Sequence, residues 1–204
     1  NKAFVQLAST YNQFNGLFDD VDLQSKKLGT DEQQRNVTIT EVIKKLNDVE
    51  VLGHDGDVIG DAYEFLISQF ASEAGKKAGE FYTPHMVSDM MAQIVTLDQK
   101  ESRFFSVFDP TMGSGSLMLN VRNYLTHPGN VKYHGQELNT TTYNLAKMNL
   151  ILHGVDAEEM NLRNGDTLNK DWPTDEPYTF DAVVMNPPYS ANWSADTTFL
   201  DDSR

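Results

Sequence analysis

Apolar residues fall at helical spacing over residues 1–15, where Phe4, Leu7, Ala8, Tyr11 and Phe14 share one face. The spacing predicts an amphipathic helix that packs that face into a core. A second helix is expected at Thr38-Ile39-Thr40-Glu41, which fits a capping box with Val37 and Val42 placed as a staple, and Val42, Ile43, Leu46 and Val49 continue its stripe. A third runs from a cap at Asp57 to Gly75, with Ile59, Ala62, Tyr63, Leu66, Ile67 and Phe70 inward. Thr83 is the expected cap of a fourth and Pro84 its first turn, with Met86, Val87, Met90, Met91, Ile94 and Val95 as the inward face.

From residue 104 the period shortens. Phe104-Phe105-Ser106-Val107-Phe108 reads as a buried strand, and Asp109-Pro110-Thr111-Met112-Gly113-Ser114-Gly115-Ser116 as a glycine turn into a helix with Leu117, Val121, Tyr124 and Leu125 inward. A second strand, Val131 to Gln136, ends at Glu137. The helix after it carries Leu145, Met148 and Leu152 and stops at Gly154. A short strand from Met160 to Arg163 precedes Gly165-Asp166-Thr167-Leu168, and Phe180 to Met185 forms the last strand, ended by Asn186-Pro187-Pro188-Tyr189. Strands alternating with helices predict an α/β fold with a parallel sheet, preceded by a small helical region.

Composition narrows the chemistry. With no cysteine, a disulfide framework, a thiolate zinc site and a cysteine nucleophile are all excluded. The turn Gly53-His54-Asp55-Gly56 lacks the spacing of a calcium loop and reads as solvated, so no metal site is expected. No apolar run reaches the ~20 residues of a membrane span, and no signal segment follows Asn1, which points to a soluble, cytoplasmic protein. The net charge of -14 works against tight nucleic-acid binding by this chain, because phosphate neutralisation supplies most nonspecific affinity. A DNA substrate would need basic surface from elsewhere. The chain opens on Asn1 rather than Met and its strand pattern stops after the fourth strand, so both ends are expected to be cut.

Several residue types stand where ligands bind, at the carboxyl ends of strands. The glycine turn is not Gly-x-Gly-x-x-Gly and no Lys-Ser or Lys-Thr follows, so it fits neither a dinucleotide pyrophosphate nor a nucleotide triphosphate. Asp109 before the turn points instead to a ligand bearing a cation or amine. Glu137 follows Gly115 by close to the ~20 residues at which such folds place an acid on ribose hydroxyls. Asp166, after the third strand, is placed to accept from an adenine amine. Pro187 and Pro188 donate no backbone N–H and fix two φ angles, so Asn186-Pro187-Pro188-Tyr189 is either a rigid polar lip or simple strand punctuation.

With Gly79-Glu80-Phe81-Tyr82-Thr83-Pro84, the turn Asp109 to Gly115, Glu137, Asp166 and Asn186-Pro187-Pro188-Tyr189 in that order, the chain resembles an S-adenosylmethionine-dependent amino-methyltransferase of DNA. It is most similar to the modification (M) subunit of type I restriction-modification systems, in the gamma arrangement that places cofactor motifs before the catalytic tetrapeptide. The resemblance covers almost the whole chain. It implies a Rossmann-like methyltransferase sheet, truncated after the fourth strand, over residues 79–204, with a helical N-terminal region over 1–78.

Carried over by residue, the resemblance implies that Glu80, Phe81, Tyr82, Thr83, Pro84 and His85 line the methionine end of S-adenosylmethionine. It places Asp109, Gly113, Ser114, Gly115 and Ser116 around the amino acid and sulfonium, Glu137 on the ribose and Asp166 on the adenine. Met112 departs from the small Ala or Cys common at its position. Asn186 and the Pro187 carbonyl would accept both hydrogens of an adenine N6, Pro188 would stiffen the lip, and Tyr189 would stack on a base flipped from duplex DNA. Asn at the head of the tetrapeptide, where Ser is usual in cytosine-N4 enzymes of this kind, favours adenine. The implied partners are DNA, a specificity (S) subunit, a restriction (R) subunit and a second M subunit. The same tetrapeptide also occurs in enzymes that methylate RNA bases or glutamine side chains, and a cofactor-binding scaffold without activity is the non-enzyme reading.

Overall fold

The computed structural model describes residues 2–48, 58–74, 82–168 and 179–189. The chain divides into two compact units, 1–61 and 62–204. The expected boundary between residues 78 and 79 lies outside the described residues.

In the first unit, α1 (Lys2–Thr10) leads through a 3-10 turn at Asn12–Phe14 to α2 (Glu32–Asn47). Phe4 stacks on Phe18 with centroids 4.7 Å apart, and Leu17 is buried. The capping box expected at Thr38 does not form, because α2 starts earlier: Asp31 Oδ1 accepts from the Gln34 N–H at 2.8 Å, and Gln34 Oε1 accepts from the Thr30 N–H at 3.0 Å. Nothing between Asp31 and Thr38 breaks a helix, so Thr38 sits in its interior. Val37, Val42, Ile43 and Leu46, expected as staple and stripe, are exposed, while Val49 and the Asp57 cap lie outside the described residues.

The second unit is built on a parallel four-stranded sheet in the order β3-β2-β1-β4, as the strand and helix alternation predicts. Its elements are β1 (Phe105–Asp109), β2 (Val131–Glu137), β3 (Met160–Asn164) and β4 (Ala182–Val183). Phe105 sits beside Val131 and Asp109 beside Gly135; Glu137 sits beside Asn164, and Val107 beside Ala182. This register brings the carboxyl ends of the strands together, where open α/β sheets hold ligands. The last strand is shorter than the six residues of its apolar run, and Asp181 pins it: Asp181 Oδ2 accepts from the Ser106 N–H and Oγ, both at 2.8 Å.

Around the sheet lie α3 (Val58–Ala74), whose first residues belong to the other unit, α4 (His85–Thr96), α5 (Ser116–Leu119) with a 3-10 turn at Asn120–Tyr124, and α6 (Thr140–Leu152). One core joins Phe105, Val107, Val131, Tyr133 and Ala182 to Ala92, Leu117, Met118, Ala146 and Leu150. Strand alternation sends Phe108 to the opposite face, where it stacks on Phe180 at 4.9 Å.

The inward faces of α3, α4 and α6 differ from those expected. On α4, Ser88, Ala92 and Thr96 are buried and Met91 and Val95 half-buried, while Met86, Val87, Met90 and Ile94 are exposed. On α3, Ile67 and Ala71 are buried and Leu66 and Phe70 exposed; on α6, Asn144, Ala146, Asn149 and Leu150 are buried rather than Leu145, Met148 and Leu152. On α4 and α6 small and hydrogen-bonding side chains face the turn after β1, as when Ser88 Oγ donates to the Ser116 carbonyl at 3.3 Å and accepts from Asn120 Nδ2 at 2.6 Å.

Candidate active site

The turn after β1 reverses direction through Gly113 (φ 53°) and Gly115 (φ 78°), a left-handed conformation that other residues adopt only with strain. The end of β2 clasps it. The Met112 N–H donates to the Gln136 carbonyl at 3.0 Å, and the Gly113 N–H to Glu137 Oε2 at 3.1 Å. A Cβ on Gly115 would stand 2.9 Å from Leu150 Cδ1, so the missing side chain also lets the turn rest on α6.

Met112, the residue that departs from the small type, is accommodated by a second glycine. Its side chain is buried, and a Cβ on Gly135 of β2 would come within 2.5 Å of its Sδ. Gly135→Ala is therefore expected to lower stability by about 1–3 kcal/mol through overpacking. In urea unfolding of the four-member mutant cycle, pairing it with Met112→Ala should recover at least about 1 kcal/mol; additive losses would show that the two do not share one space.

Three carboxyl groups occupy the strand ends. Asp109 is buried, and its Oδ1 accepts from the Thr111 N–H at 2.9 Å. Burial pushes its carboxyl up to about 7; the Thr111 hydrogen bonds oppose the rise, and the Glu137 charge adds to it. Glu137 is also raised by burial, against the N–H donors of Asn139, Gly113 and Leu138. Its Oε1 accepts from the Asn139 N–H at 2.8 Å and its Oε2 from Gly113; with the Leu138 N–H as third donor, one of the carboxylate's roughly four lone-pair sites is left to accept from a ligand hydroxyl. Asp166 is half-buried after β3, with Oδ1 accepting from the Leu168 N–H at 3.0 Å. A buried and a half-buried carboxyl beside a glycine turn favour a cationic ligand, since a positive charge there relieves both the desolvation and their mutual repulsion.

The tetrapeptide closes the other side. Asn186 Nδ2 donates to Thr83 Oγ1 at 3.2 Å, and Tyr189 Oη donates to Asn186 Oδ1 at 3.1 Å. Thr83 is therefore not the cap of α4. Pro84 occupies that position, without a side-chain cap, and the buried Thr83 hydroxyl instead receives the Asn186 amide. Tyr82 is half-buried with its phenol raised by burial and by the Glu64 charge, opposed by the His85 N–H. His85 opens α4 and is exposed, as are Pro187 and Pro188. The Tyr189 ring is 88% exposed, open to stacking. Glu80 and Phe81 lie outside the described residues.

Periodicity did not point to several residues that fasten this site. Thr167 Oγ1 donates to the Pro110 carbonyl, joining the loop after β3 to the turn after β1. Asn164 Nδ2 donates to the Glu137 carbonyl at 2.8 Å, and buried Asn149 on α6 donates to the Ser114 carbonyl at 3.1 Å. A polar residue in the middle of an apolar helix, as at Asn149, was the available signal.

Residues 54–204 match the family model described as N-6 DNA Methylase. The chain is 40% identical over 196 residues to the type I restriction enzyme MpnII methylase subunit of Mycoplasma pneumoniae, a match covering 90% of this chain and 35% of that protein. It is 32% identical to the MjaVII methylase subunit of Methanocaldococcus jannaschii, over 93% of this chain and 33% of that protein. The chain thus spans about a third of the length of these curated relatives. Among solved structures, the type I restriction-modification system methyltransferase subunit from Streptococcus thermophilus superposes with a TM-score of 0.92 at 52% identity, over 99% of this chain and 42% of that one. A Listeria monocytogenes protein described as a class I S-adenosylmethionine-dependent methyltransferase shares the fold at TM-score 0.58 and 16% identity.

Proposed function

Because this chain belongs to the N-6 DNA methylase family, we propose that it forms the catalytic part of a type I modification subunit that transfers a methyl group from S-adenosylmethionine to adenine N6 in DNA. The observation that carries this reading is the clamp on Asn186. Thr83 Oγ1 takes one amide hydrogen, which fixes the rotation of the amide, and Oδ1 already accepts from a hydroxyl, that of Tyr189. A side-chain oxygen so oriented at a strand end suits an incoming N–H donor.

The residues present fit the cofactor. Asp109 and Glu137 supply the negative pocket for its cationic end, Gly113 to Ser116 the backbone cradle, Glu137 an acceptor for its ribose and Asp166 an acceptor for its adenine. Tyr82, Thr83, Pro84 and His85, with Glu80 and Phe81 by their place in the sequence, border its methionine end. When bound, S-adenosylmethionine supplies a methyl group activated by a positively charged sulfur.

An exocyclic adenine amine is a poor nucleophile because its lone pair is delocalised into the ring. Asn186 Oδ1 and the Pro187 carbonyl accept its two hydrogens, which holds the nitrogen toward tetrahedral geometry and frees the lone pair. Pro188 keeps that carbonyl in place. Orientation of this kind lowers barriers by up to roughly 7–11 kcal/mol when alignment is good. Tyr189 stacks on the flipped base, at about 1–3 kcal/mol per stacked base.

The -14 charge assigns most DNA affinity to other chains. We take these to be a specificity subunit and a second modification subunit, with a restriction subunit completing the complex in the cytoplasm. Tritiated S-adenosylmethionine added to the chain assembled with a specificity subunit should label duplex DNA. Label in RNA or protein with none in DNA would overturn the reading.

A further inference from the structure

The helix that precedes the cofactor motifs reaches the glycine turn through one buried amide. Asn149, on α6, is completely buried, and its Nδ2 lies within hydrogen-bond distance of three acceptors: the Ser114 carbonyl at 3.1 Å, Glu64 Oε1 of α3 at 3.3 Å and Ser116 Oγ at 3.4 Å. Its Oδ1 is buried without a hydrogen-bond donor. Turning the amide over would set Oδ1 against those three acceptors, so the orientation is fixed from the donor side alone. The acceptors on that side are two groups of the turn and one carboxylate from α3.

We propose that Glu64 is a positioning residue for the cofactor turn, acting through Asn149. The proposal rests on the reading of Gly113 to Ser116 as the S-adenosylmethionine cradle. Glu64 is the charged member of the trio, and a hydrogen bond to an ionised acceptor is roughly twice as strong as a neutral one. It draws the amide into the orientation in which the second hydrogen meets the Ser114 carbonyl. That carbonyl precedes Gly115, whose left-handed φ of 78° sets the direction of the turn.

The same carboxylate acts on the second edge of the site. Its charge adds to burial, the larger cause, in raising the Tyr82 phenol, and Tyr82 adjoins Thr83, which holds the Asn186 amide. A second polar support explains why the turn needs Asn149 even though Ser116 is bonded elsewhere. The Ser116 carbonyl accepts from Ser88 Oγ on α4, and Ser114 Oγ pairs with Ser116 Oγ at 3.1 Å. These contacts fix the far side of the turn, where α5 begins; only Asn149 reaches the Ser114 carbonyl among the hydrogen bonds of the described residues. Among the described residues Glu64 makes no hydrogen bond to the turn itself, and its role is to orient the group that does.

The test compares Glu64→Leu, which removes the acceptor, with Glu64→Gln, which retains a neutral one, in the full chain. S-adenosylmethionine affinity is measured by calorimetry, and amide hydrogen exchange of residues 113–116 is measured without ligand. The expected result for Glu64→Leu is affinity about tenfold weaker and turn amides exchanging at least about fivefold faster. Glu64→Gln should stay within about threefold of the parent in both. Unchanged affinity and exchange in Glu64→Leu would overturn the proposal, even if its melting temperature fell, because a purely structural contact moves only the latter. Accelerated exchange in Glu64→Leu, together with a parent chain that binds no S-adenosylmethionine, would overturn the cofactor reading instead, and the functional part of this proposal with it.

Discussion

Replacing Asn186 by Ala is expected to lower methyl transfer by at least roughly a hundred- to a thousandfold, the loss typical when one preorganised polar group at a reacting centre is removed. S-adenosylmethionine affinity should stay within about twofold. The separation follows from the geometry: Asn186 hydrogen-bonds to Thr83 and Tyr189, and none of its hydrogen bonds reaches Asp109, Glu137 or the glycine turn. Thr83→Val tests the clamp more gently, since it removes the acceptor of Asn186 Nδ2 and leaves Oδ1 in place. A loss of about tenfold in turnover is expected from freed amide rotation. Single-turnover rates and calorimetry on the same preparations separate the two effects, and a large loss of cofactor affinity in Asn186→Ala would contradict the assigned role.

The second large effect is on pH dependence, through Asp109. Its carboxyl is raised from 3.8 to about 7 in the folded chain, so between about pH 4 and 7 the folded state holds a proton that the unfolded state has lost. Stability should then fall as pH rises through that window and level off above it. The full shift corresponds to roughly 4 kcal/mol as an upper bound. Asp109→Asn should therefore be more stable than the parent near pH 8 and no more stable near pH 4, read from urea midpoints. Cofactor binding should run the opposite way. A cationic ligand draws Asp109 into its charged form, so affinity should rise with pH up to about 7, by as much as tenfold per unit, with a proton released on binding. The Asn variant should lose both the affinity and the pH slope. An affinity independent of pH in the parent would contradict a neutral Asp109 in the free site.

Much of the second unit was legible because strand and turn signals are local. Phe105 to Asp109, Val131 to Glu137 and Met160 to Asn164 fall within a residue of their apolar runs, and Gly154, at φ 72°, stops α6 as its residue type predicts. The helix faces were less legible. A hydrophobic stripe identifies the large residues, yet α4 packs through Ser88, Ala92 and Thr96 and α6 through Ala146 and Asn149, where smallness and hydrogen bonding allow close approach. Thr83 shows the same limit at the site. As a residue type before Pro84 it reads as a helix cap, and only the return of the chain at Asn186 recruits its hydroxyl elsewhere. Met112 is its converse: an unexpected residue whose explanation, Gly135, lies on the neighbouring strand and is invisible to local pattern.

The most direct test of the account is the identity of the methylated product. The chain, assembled with a specificity subunit and S-adenosylmethionine, is incubated with unmodified duplex DNA, which is then digested to nucleosides and resolved by mass spectrometry. The account predicts N6-methyldeoxyadenosine as the new nucleoside, absent when Asn186→Ala replaces the parent chain. Methylation at cytosine N4, or DNA left unmodified while the parent chain binds S-adenosylmethionine, would contradict it.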